Sequence, residues 1–369
     1  MQSRMKRNWK GLKLGVVAVV ATLLISSCDT GGGGDEVTET DFTSLLSNQV
    51  EEVIIPTMRE YQAQTGALLD AVNGFASSTD EANLTTLRTA YASAYLAYQA
   101  VAVHNYYATA NSGLVPNTNL YPVDLDLLAS LIESESYNFS TSAQERANGY
   151  PVLDYLLYGP EDVVTYFITD AKRLAYLQAL VTSIDDRADM LVEQWTGSLQ
   201  TNFVNNGGTA LGSSVSTQLN ETMVYYEVHI RENKVGIPIG RLGPNDTPIE
   251  ADPTLIEGYY QALAEGNEDF TLALLRASIE EMEDLYLGEN SAGTDAQGYD
   301  DVLASFEQTA VDEDVKAQFA AIYSLIDGRS SISGDDTLYQ GIQALVTLYK
   351  SDLFSTLNVQ DADGANDGD

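Results

Sequence analysis

The sequence predicts an all-α protein made of two packed halves, each similar to a four-helix bundle. Apolar residues recur at spacings of three and four over long stretches, which is typical of amphipathic helices. No stretch of any length shows the strict alternation of a half-buried strand. The order of long helix, second long helix and loop occurs once before residue 159 and once after it, which favours a duplication.

The first two predicted helices are long. The first covers 41–76 and contains Pro56, which predicts a kink because proline lacks an N–H group and its ring clashes with the preceding turn. The second begins after Asp80, a favourable N-cap residue, and we expect it to end near Ala110.

The remaining predicted helices follow a loop that contains Tyr121 and Asp124. They cover 125–133, a short stretch from Pro151, 169–199, 213–235, 254–288, 298–308, 311–328 and 335–357. A turn signal at Gly159 and Pro160 predicts the boundary between an N-terminal bundle, 39–160, and a C-terminal bundle, 161–358. Residues 359–369 are small and acidic, and we expect a disordered tail.

The N-terminal segment has the pattern of a secretory signal. Five basic residues and no acidic one precede an apolar run from Leu14 to Ile25, which is shorter than the roughly 20 residues that a membrane-spanning helix needs. Two small residues then precede Cys28, the only cysteine. This pattern predicts a lipoprotein signal peptide, 1–27, a lipidated Cys28 and a flexible glycine-rich linker, 28–38; the alternative is an ordinary cleavage site.

Lipid on Cys28 predicts a location in the cell envelope, on the periplasmic or outer face, with the outer membrane favoured over the inner. More than one acyl chain on one residue anchors a protein durably. Without the signal the chain has 13 basic and 54 acidic residues, a formal charge of −41, which excludes nucleic acid as a partner. Such a surface favours solubility and also attracts cations.

Few residues offer chemistry of their own. His104 and His229 are the only histidines, too few for a histidine metal cluster, and no nucleophile motif is present. The 22 tyrosines against nine phenylalanines indicate either a tyrosine-rich core or a polar cleft lined by aromatic rings. Asp124 and Asp154 either cap helices or converge with Tyr121 as a site for a hard cation.

Three segments resemble one known family. Residues 149–159, GYPVLDYLLYG, resemble the signature of the imelysin-like family of bacterial envelope proteins, which is Gly-x-His-x-x-Glu followed by aromatic-Leu-Leu-aromatic-Gly. Residues 119–124, NLYPVD, and 234–240, KVGIPIG, are similar to two further segments of that family. The resemblance implies two helical halves with a conserved cleft between them, an association with iron uptake and, in some relatives, peptidase activity.

The chain departs from the signature at its most chemical positions. Gly149 is kept, but Pro151 stands in place of the histidine and Asp154 in place of the glutamate. Proline cannot ligate a metal or transfer a proton, yet it suits the first turn of a helix. The favoured interpretation is therefore a binding protein linked to uptake of iron or another divalent cation, with Tyr121, Asp124 and Asp154 lining the cleft and an envelope uptake protein as partner. A metallopeptidase and a partner-docking scaffold are the alternatives.

Overall fold

Helices form most of the chain described by the computed structural model, which covers residues 42–362 except 244, 246 and 291. The all-α class is thereby confirmed. The described residues belong to one compact unit, Thr40–Asp369. Cys28, the predicted signal peptide, the linker and most of the acidic tail lie outside the described residues. None of the described helices is both long and apolar enough to cross a membrane.

The described helices are numbered in chain order. They are α1 (Thr43–Asn48), α2 (Ile55–Ser77), α3 (Glu81–Val103), α4 (Ala108–Asn111), α5 (Leu114–Thr118), α6 (Leu125–Ser134), α7 (Gly149–Tyr158), α8 (Val163–Ile168), α9 (Ala171–Trp195), α10 (Ser198–Asn205), α11 (Ser214–Tyr225), α12 (Ile237–Ile239), α13 (Tyr259–Glu265), α14 (Asp269–Leu287), α15 (Tyr299–Ser305), α16 (Thr309–Asp327), α17 (Thr337–Thr347) and α18 (Phe354–Leu357).

Other regular segments extend or connect these helices. Three π-helical segments, Gln49–Ile54, Tyr226–Gly236 and Leu348–Leu353, follow α1, α11 and α17 directly, and a 3-10 helix covers Ser142–Ala147. Strands β1 (Arg241–Leu242) and β2 (Thr247–Pro248) form a small antiparallel hairpin between the predicted helices 213–235 and 254–288.

Helix α3 is central to the packing, because it contacts both α2 and α14. Helix α2 packs against α9 as well as α3, although α9 follows residue 160 in sequence. The boundary predicted at that residue stays a prediction. The interior is rich in phenols, since the fully buried side chains include Trp195 and eleven tyrosines. Tyrosine therefore forms much of the core, as one of the two interpretations of its abundance expects.

The irregularity predicted at Pro56 is present as a π-helical segment. Helix α1, Gln49–Ile54 and α2 form one continuous rod, and Pro56 lies in the first turn of α2. In an α-helix the carbonyl of Glu52 would accept the N–H group that Pro56 lacks. The side chain of Asn290 donates to this carbonyl instead, with Nδ2 2.8 Å from the oxygen.

Two predicted helices are interrupted at positions that the hydrophobic periodicity did not predict. Helix α3 ends at Val103 and not near Ala110, because His104 leaves the helical region and Tyr107 has a φ of 46°. This turn directs the buried side chains of His104 and Tyr106 into the interior. The stretch 254–288 is divided by Gly266, with a φ of 70°, into α13 and α14.

Candidate functional site

Two of the three motif segments contribute side chains to one buried polar group around Glu257. Asn119 comes from the first segment and Lys234 from the third, and Gln99 on α3 and Ser278 on α14 complete the group. We call Gln99, Asn119, Lys234, Glu257 and Ser278 the Glu257 cluster. It joins two long helices, a π-helical segment and two loops.

The carboxylate of Glu257 accepts three hydrogen bonds. Asn119 Nδ2 lies 2.5 Å from Oε1 and Gln99 Nε2 lies 3.1 Å from Oε2, while Lys234 Nζ also donates to Oε2. Lys234 Nζ makes a second bond, of 2.7 Å, to Gln99 Oε1, which also accepts from Ser278 Oγ at 3.1 Å. Every side chain of the cluster is thus held by another member.

Lys234 and Glu257 form a buried ion pair. The two side chains are 4% and 3% exposed. Burial lowers the pKa of Lys234, and the charge of Glu257 opposes that change. Two charges at this depth are tolerated because each compensates the other, so the loss of one leaves the other unpaired in the interior.

Two phenols beside the cluster have no hydrogen-bond partner within the described part of the chain. The hydroxyls of Tyr98, on α3, and Tyr121, in the first motif segment, are buried and unpaired. Burial raises the pKa of both phenols, and the charge of Glu257 raises each further. Tyr95 differs, because its hydroxyl donates to Asn119 Oδ1 at 2.6 Å.

Asp154 caps a helix from another part of the chain. Its Oδ2 accepts from the backbone N–H of Tyr260 at 2.7 Å and its Oδ1 from that of Gln261 at 3.0 Å, in the first turn of α13. The residue is 2% exposed. Burial raises the pKa of Asp154 to about 7, although the two backbone bonds and Tyr91 act in the opposite direction.

The other two signature residues, Gly149 and Pro151, have structural roles at the start of α7. Gly149 has a φ of 77°, and a Cβ there would lie 2.0 Å from the carbonyl oxygen of Thr118. Only glycine permits this approach, which places α7 against the residue that precedes Asn119. Pro151 is buried in the first turn, where its missing N–H has no cost.

Asp124 has the capping role expected for an aspartate at a helix start. It is exposed, and its Oδ1 accepts from the backbone N–H of Leu127 at 2.9 Å, in the first turn of α6. Of the three residues predicted to line the cleft, Tyr121 lies beside Glu257, Asp154 holds the helix that follows Glu257, and Asp124 caps α6.

A second buried polar group surrounds His104. Tyr106 also belongs to it, with four residues from α2, α11, α14 and α15: Thr57, Gln218, Glu281 and Tyr299. We call these six residues the His104 cluster. His104 Nε2 lies 2.6 Å from Glu281 Oε1, and Thr57 Oγ1 donates to the same oxygen at 3.0 Å.

The hydrogen-bond directions in the His104 cluster follow from its partners. Tyr299 donates to Gln218 Oε1 at 2.5 Å, and Gln218 Nε2 donates to the oxygen of Tyr106 at 3.1 Å. The proton of Tyr106 is then free for His104 Nδ1, 2.9 Å away, and His104 Nε2–H donates to Glu281. All of these donors have an acceptor.

The described residues contain no preformed metal site built from His, Cys, Asp or Glu side chains. No group of three or more His, Cys, Asp or Glu side chains is arranged there to hold an ion. The oxygen-rich Glu257 cluster has a single carboxylate, and the Lys234 ammonium occupies the position next to it that a cation would need.

Comparisons with known proteins agree with the resemblance seen in the motifs. The family model described as imelysin, peptidase M75, matches residues 54–348. No protein with a curated description matches the sequence significantly.

Two solved structures share the fold. An imelysin-like protein from Psychrobacter arcticum 273-4 is 16% identical, with a TM-score of 0.70 over 87% of this chain and 96% of the other. A protein from Parabacteroides distasonis ATCC 8503, described as an iron-regulated protein A precursor, is 15% identical, with a TM-score of 0.68 over 88% and 97%. With a family match over most of its length and this fold, the chain belongs to the imelysin family.

Proposed function

We propose that this protein binds a small ligand at the Glu257 cluster, as a lipid-anchored envelope protein linked to the uptake of iron or another cation. The proposal combines the family, the lipidation pattern at Cys28 and the chemistry of the buried site. Binding without catalysis is the activity that the described residues support best.

The unpaired phenols of Tyr98 and Tyr121 carry the proposal. Native proteins leave few buried polar atoms without a partner, and such atoms often mark a bound water, ion or ligand. Both hydroxyls lie in the field of Glu257. Thr118 Oγ1 and Gln261 Oε1 are further buried atoms of this region without a partner among the described residues, and the charge of Glu257 sets the two phenols apart from them.

A cation would enter this site by replacing the ammonium group of Lys234. Glu257 Oε2 and Gln99 Oε1 already bind that positive group. Carboxylate, amide and phenol oxygens are ligands that hard cations prefer. The relative described as iron-regulated makes iron the first cation to test.

Catalysis by the family signature is disfavoured by two residues. Pro151 has no imidazole, and both carboxylate oxygens of Asp154 are engaged with α13. A water-activating zinc site would need three protein ligands. An assay with unfolded protein substrates, with and without a chelator, tests this point, and chelator-sensitive cleavage would contradict the proposal.

Calorimetric titration of the purified protein with ferric, ferrous, zinc and calcium ions tests the binding site. We expect heat above dilution for at least one ion and a loss of affinity of at least about tenfold in Tyr121→Phe, because a ligand group has been removed. Tyr323→Phe is the matched control, since Tyr323 donates to Glu283 at 2.7 Å on α14. Absence of heat with all four ions, or equal affinity in the Tyr121 variant, would remove the Glu257 cluster as a cation site.

Membrane attachment is tested separately with Cys28→Ala. We expect the unaltered protein to incorporate labelled fatty acid and to partition into detergent, and the variant to do neither. Incorporation of label into Cys28→Ala would show that the lipid is elsewhere.

A further inference from the structure

Helix α13 is a short element between two glycines, placed directly after Glu257. Gly258 and Gly266 bound its seven residues and have φ angles of 69° and 70°. Glycine adopts such angles without strain and allows the chain to change direction on either side of the helix. The outer face of α13 is open to solvent, with Leu263 67% exposed.

The first turn of α13 depends on a residue far away in sequence. Gly258, at the N-cap position, offers no side chain to the free N–H groups of Tyr260 and Gln261, and Asp154 on α7 accepts from both. A carboxylate at this end of a helix also interacts favourably with the helix dipole. Asp154 thereby fixes the position of the segment that begins with Glu257.

Four of the five residues of the Glu257 cluster are closed to solvent, whereas Asn119 is partly exposed. Gln99, Lys234, Glu257 and Ser278 are each at most 4% exposed. Gln99 and Ser278 lie within long helices, whereas Glu257 lies on the irregular segment before α13. The carbonyl of Glu257 accepts from Thr271 Oγ1 at 2.6 Å, so its backbone is tied to the start of α14, and its side chain is the part of the cluster that moves with the least rearrangement of the core.

We propose that α13 is a gate beside the Glu257 cluster, that Gly258 and Gly266 are its hinges, and that Asp154 is the positioning residue that latches it closed. Opening releases the chain that follows Glu257, which frees the Glu257 carboxylate to part from Lys234 and gives access to the hydroxyls of Tyr98 and Tyr121. The role as an entrance rests on the proposed binding function, whereas the latch itself can be measured without any ligand.

The surroundings of Asp154 give the latch a pH dependence. Tyr91 from α3, Tyr158 from α7, and Tyr260 and Glu265 from α13 are the titratable groups that act on it or respond to its charge. Arg88 is the nearby cation, stacked 4.6 Å from the centre of the Tyr158 ring.

The sign of this dependence follows from the two states of the gate. Burial raises the pKa of Asp154 to about 7 in the closed gate, whereas a solvated aspartate titrates near about 4. The closed gate binds the proton more tightly, so it is most favoured below about pH 4 and opens more readily as the pH rises to about 7.

Hydrogen exchange measured by mass spectrometry on the full-length protein tests the latch. For Asp154→Ala we expect exchange of peptides covering 257–266 to increase at least about tenfold, because the two hydrogen bonds that hold the first turn of α13 are lost. Peptides from α14 should exchange as before. Asp162→Ala is the matched control, because Asp162 caps α8 through Thr165 at 2.8 Å and is exposed.

The pH profile separates a latch from a cap that only supports the fold. Protection of 257–266, corrected for intrinsic exchange, should fall from pH 5 to pH 8 in the unaltered protein and stay level in Asp154→Asn. Unchanged exchange of 257–266 in Asp154→Ala, or an equal increase in α14, would overturn the proposal. If Asp154→Ala increases exchange in 257–266 but the titrations show no ion binding, the latch is supported and cation binding at the Glu257 cluster is contradicted.

Discussion

The two buried polar clusters differ in how completely their hydrogen bonds are satisfied. In the His104 cluster each donor from Tyr299 to His104 Nε2 finds an acceptor, and Glu281 lies in the middle of α14. In the Glu257 cluster the acid lies on a loop before a short helix, and the phenols of Tyr98 and Tyr121 beside it are unpaired.

Under the proposed function, this difference separates a cluster that only stabilises the fold from one that binds a ligand. A closed network on regular helices rigidifies the core and has no capacity left for another molecule. The unpaired hydroxyls beside the Lys234–Glu257 ion pair are still able to hydrogen-bond to another molecule. The family signature lies next to the Glu257 cluster, and His104 lies in the other cluster.

The largest effect is expected from Lys234→Ala. This change leaves the Glu257 carboxylate buried without its cation, and we expect the free energy of unfolding to fall by about 3–5 kcal/mol. Chemical denaturation measures it. Lys234→Met combined with Glu257→Met is the control and should recover much of the loss. A decrease below about 1 kcal/mol for Lys234→Ala would mean that water reaches the pair.

The stability contributed by the buried carboxyl of Asp154 should depend on pH. The pKa of Asp154 is raised from 3.8 to about 7 in the folded state. Its contribution is therefore fully present below about pH 4 and is lost as the pH rises through about 7, with a limit of about 4 kcal/mol. The difference in stability between the unaltered protein and Asp154→Asn, followed from pH 4 to pH 8, measures it. A difference that does not change with pH would contradict the burial of this carboxyl.

Glu281→Gln tests the stabilising role of the His104 cluster. Glutamine keeps the shape but removes the charge that accepts from His104 and Thr57, so we expect a loss of about 1.5–3 kcal/mol in unfolding free energy. Ligand affinity at the Glu257 cluster should stay unchanged. A selective loss of affinity with normal stability would place the site at His104 instead.

The smallest effects give the sharpest contrast. Tyr106→Phe leaves Gln218 and His104 with unmet partners and should cost about 1 kcal/mol or more. Tyr98→Phe and Tyr121→Phe remove hydroxyls that have no protein partner, so their unfolding free energies should change by less than about 0.5 kcal/mol. Thermal unfolding of the three variants in parallel decides this. Equal losses in all three would mean that the unpaired hydroxyls are satisfied by water that the fold requires.

Much of the fold was predictable because helical periodicity is a local property. The rod that contains Pro56 and the cap at Asp80 were predicted from neighbouring residues alone. The end of α3 at Val103 was not, since it depends on the partners that His104 finds in other helices. The division at Gly266 was missed because isolated glycines also occur within helices.

The site was predictable only in part for the same reason. Tyr121 and Asp154 were predicted as site residues. Asn119 and Lys234 lie in the motif segments, but no role was predicted for them. Lysine within an apolar stretch is a signal for burial, since it is rarely buried without a partner. Glu257 lies near the start of the stretch 254–288, which was predicted as one helix, and nothing in its sequence neighbourhood connects it with Lys234.

The carbonyl of Glu52 that Pro56 leaves without its helical donor has a consequence for how the chain folds. Its replacement donor, Asn290, lies 238 residues later, and Gln49 and Thr57 make their bonds to Leu285 and Glu281 over 236 and 224 residues. Contacts of such sequence separation slow folding. The first rod therefore reaches its final hydrogen bonding only after Asn290 has been synthesised, although α3 and α9, which pack against α2, come earlier in the chain.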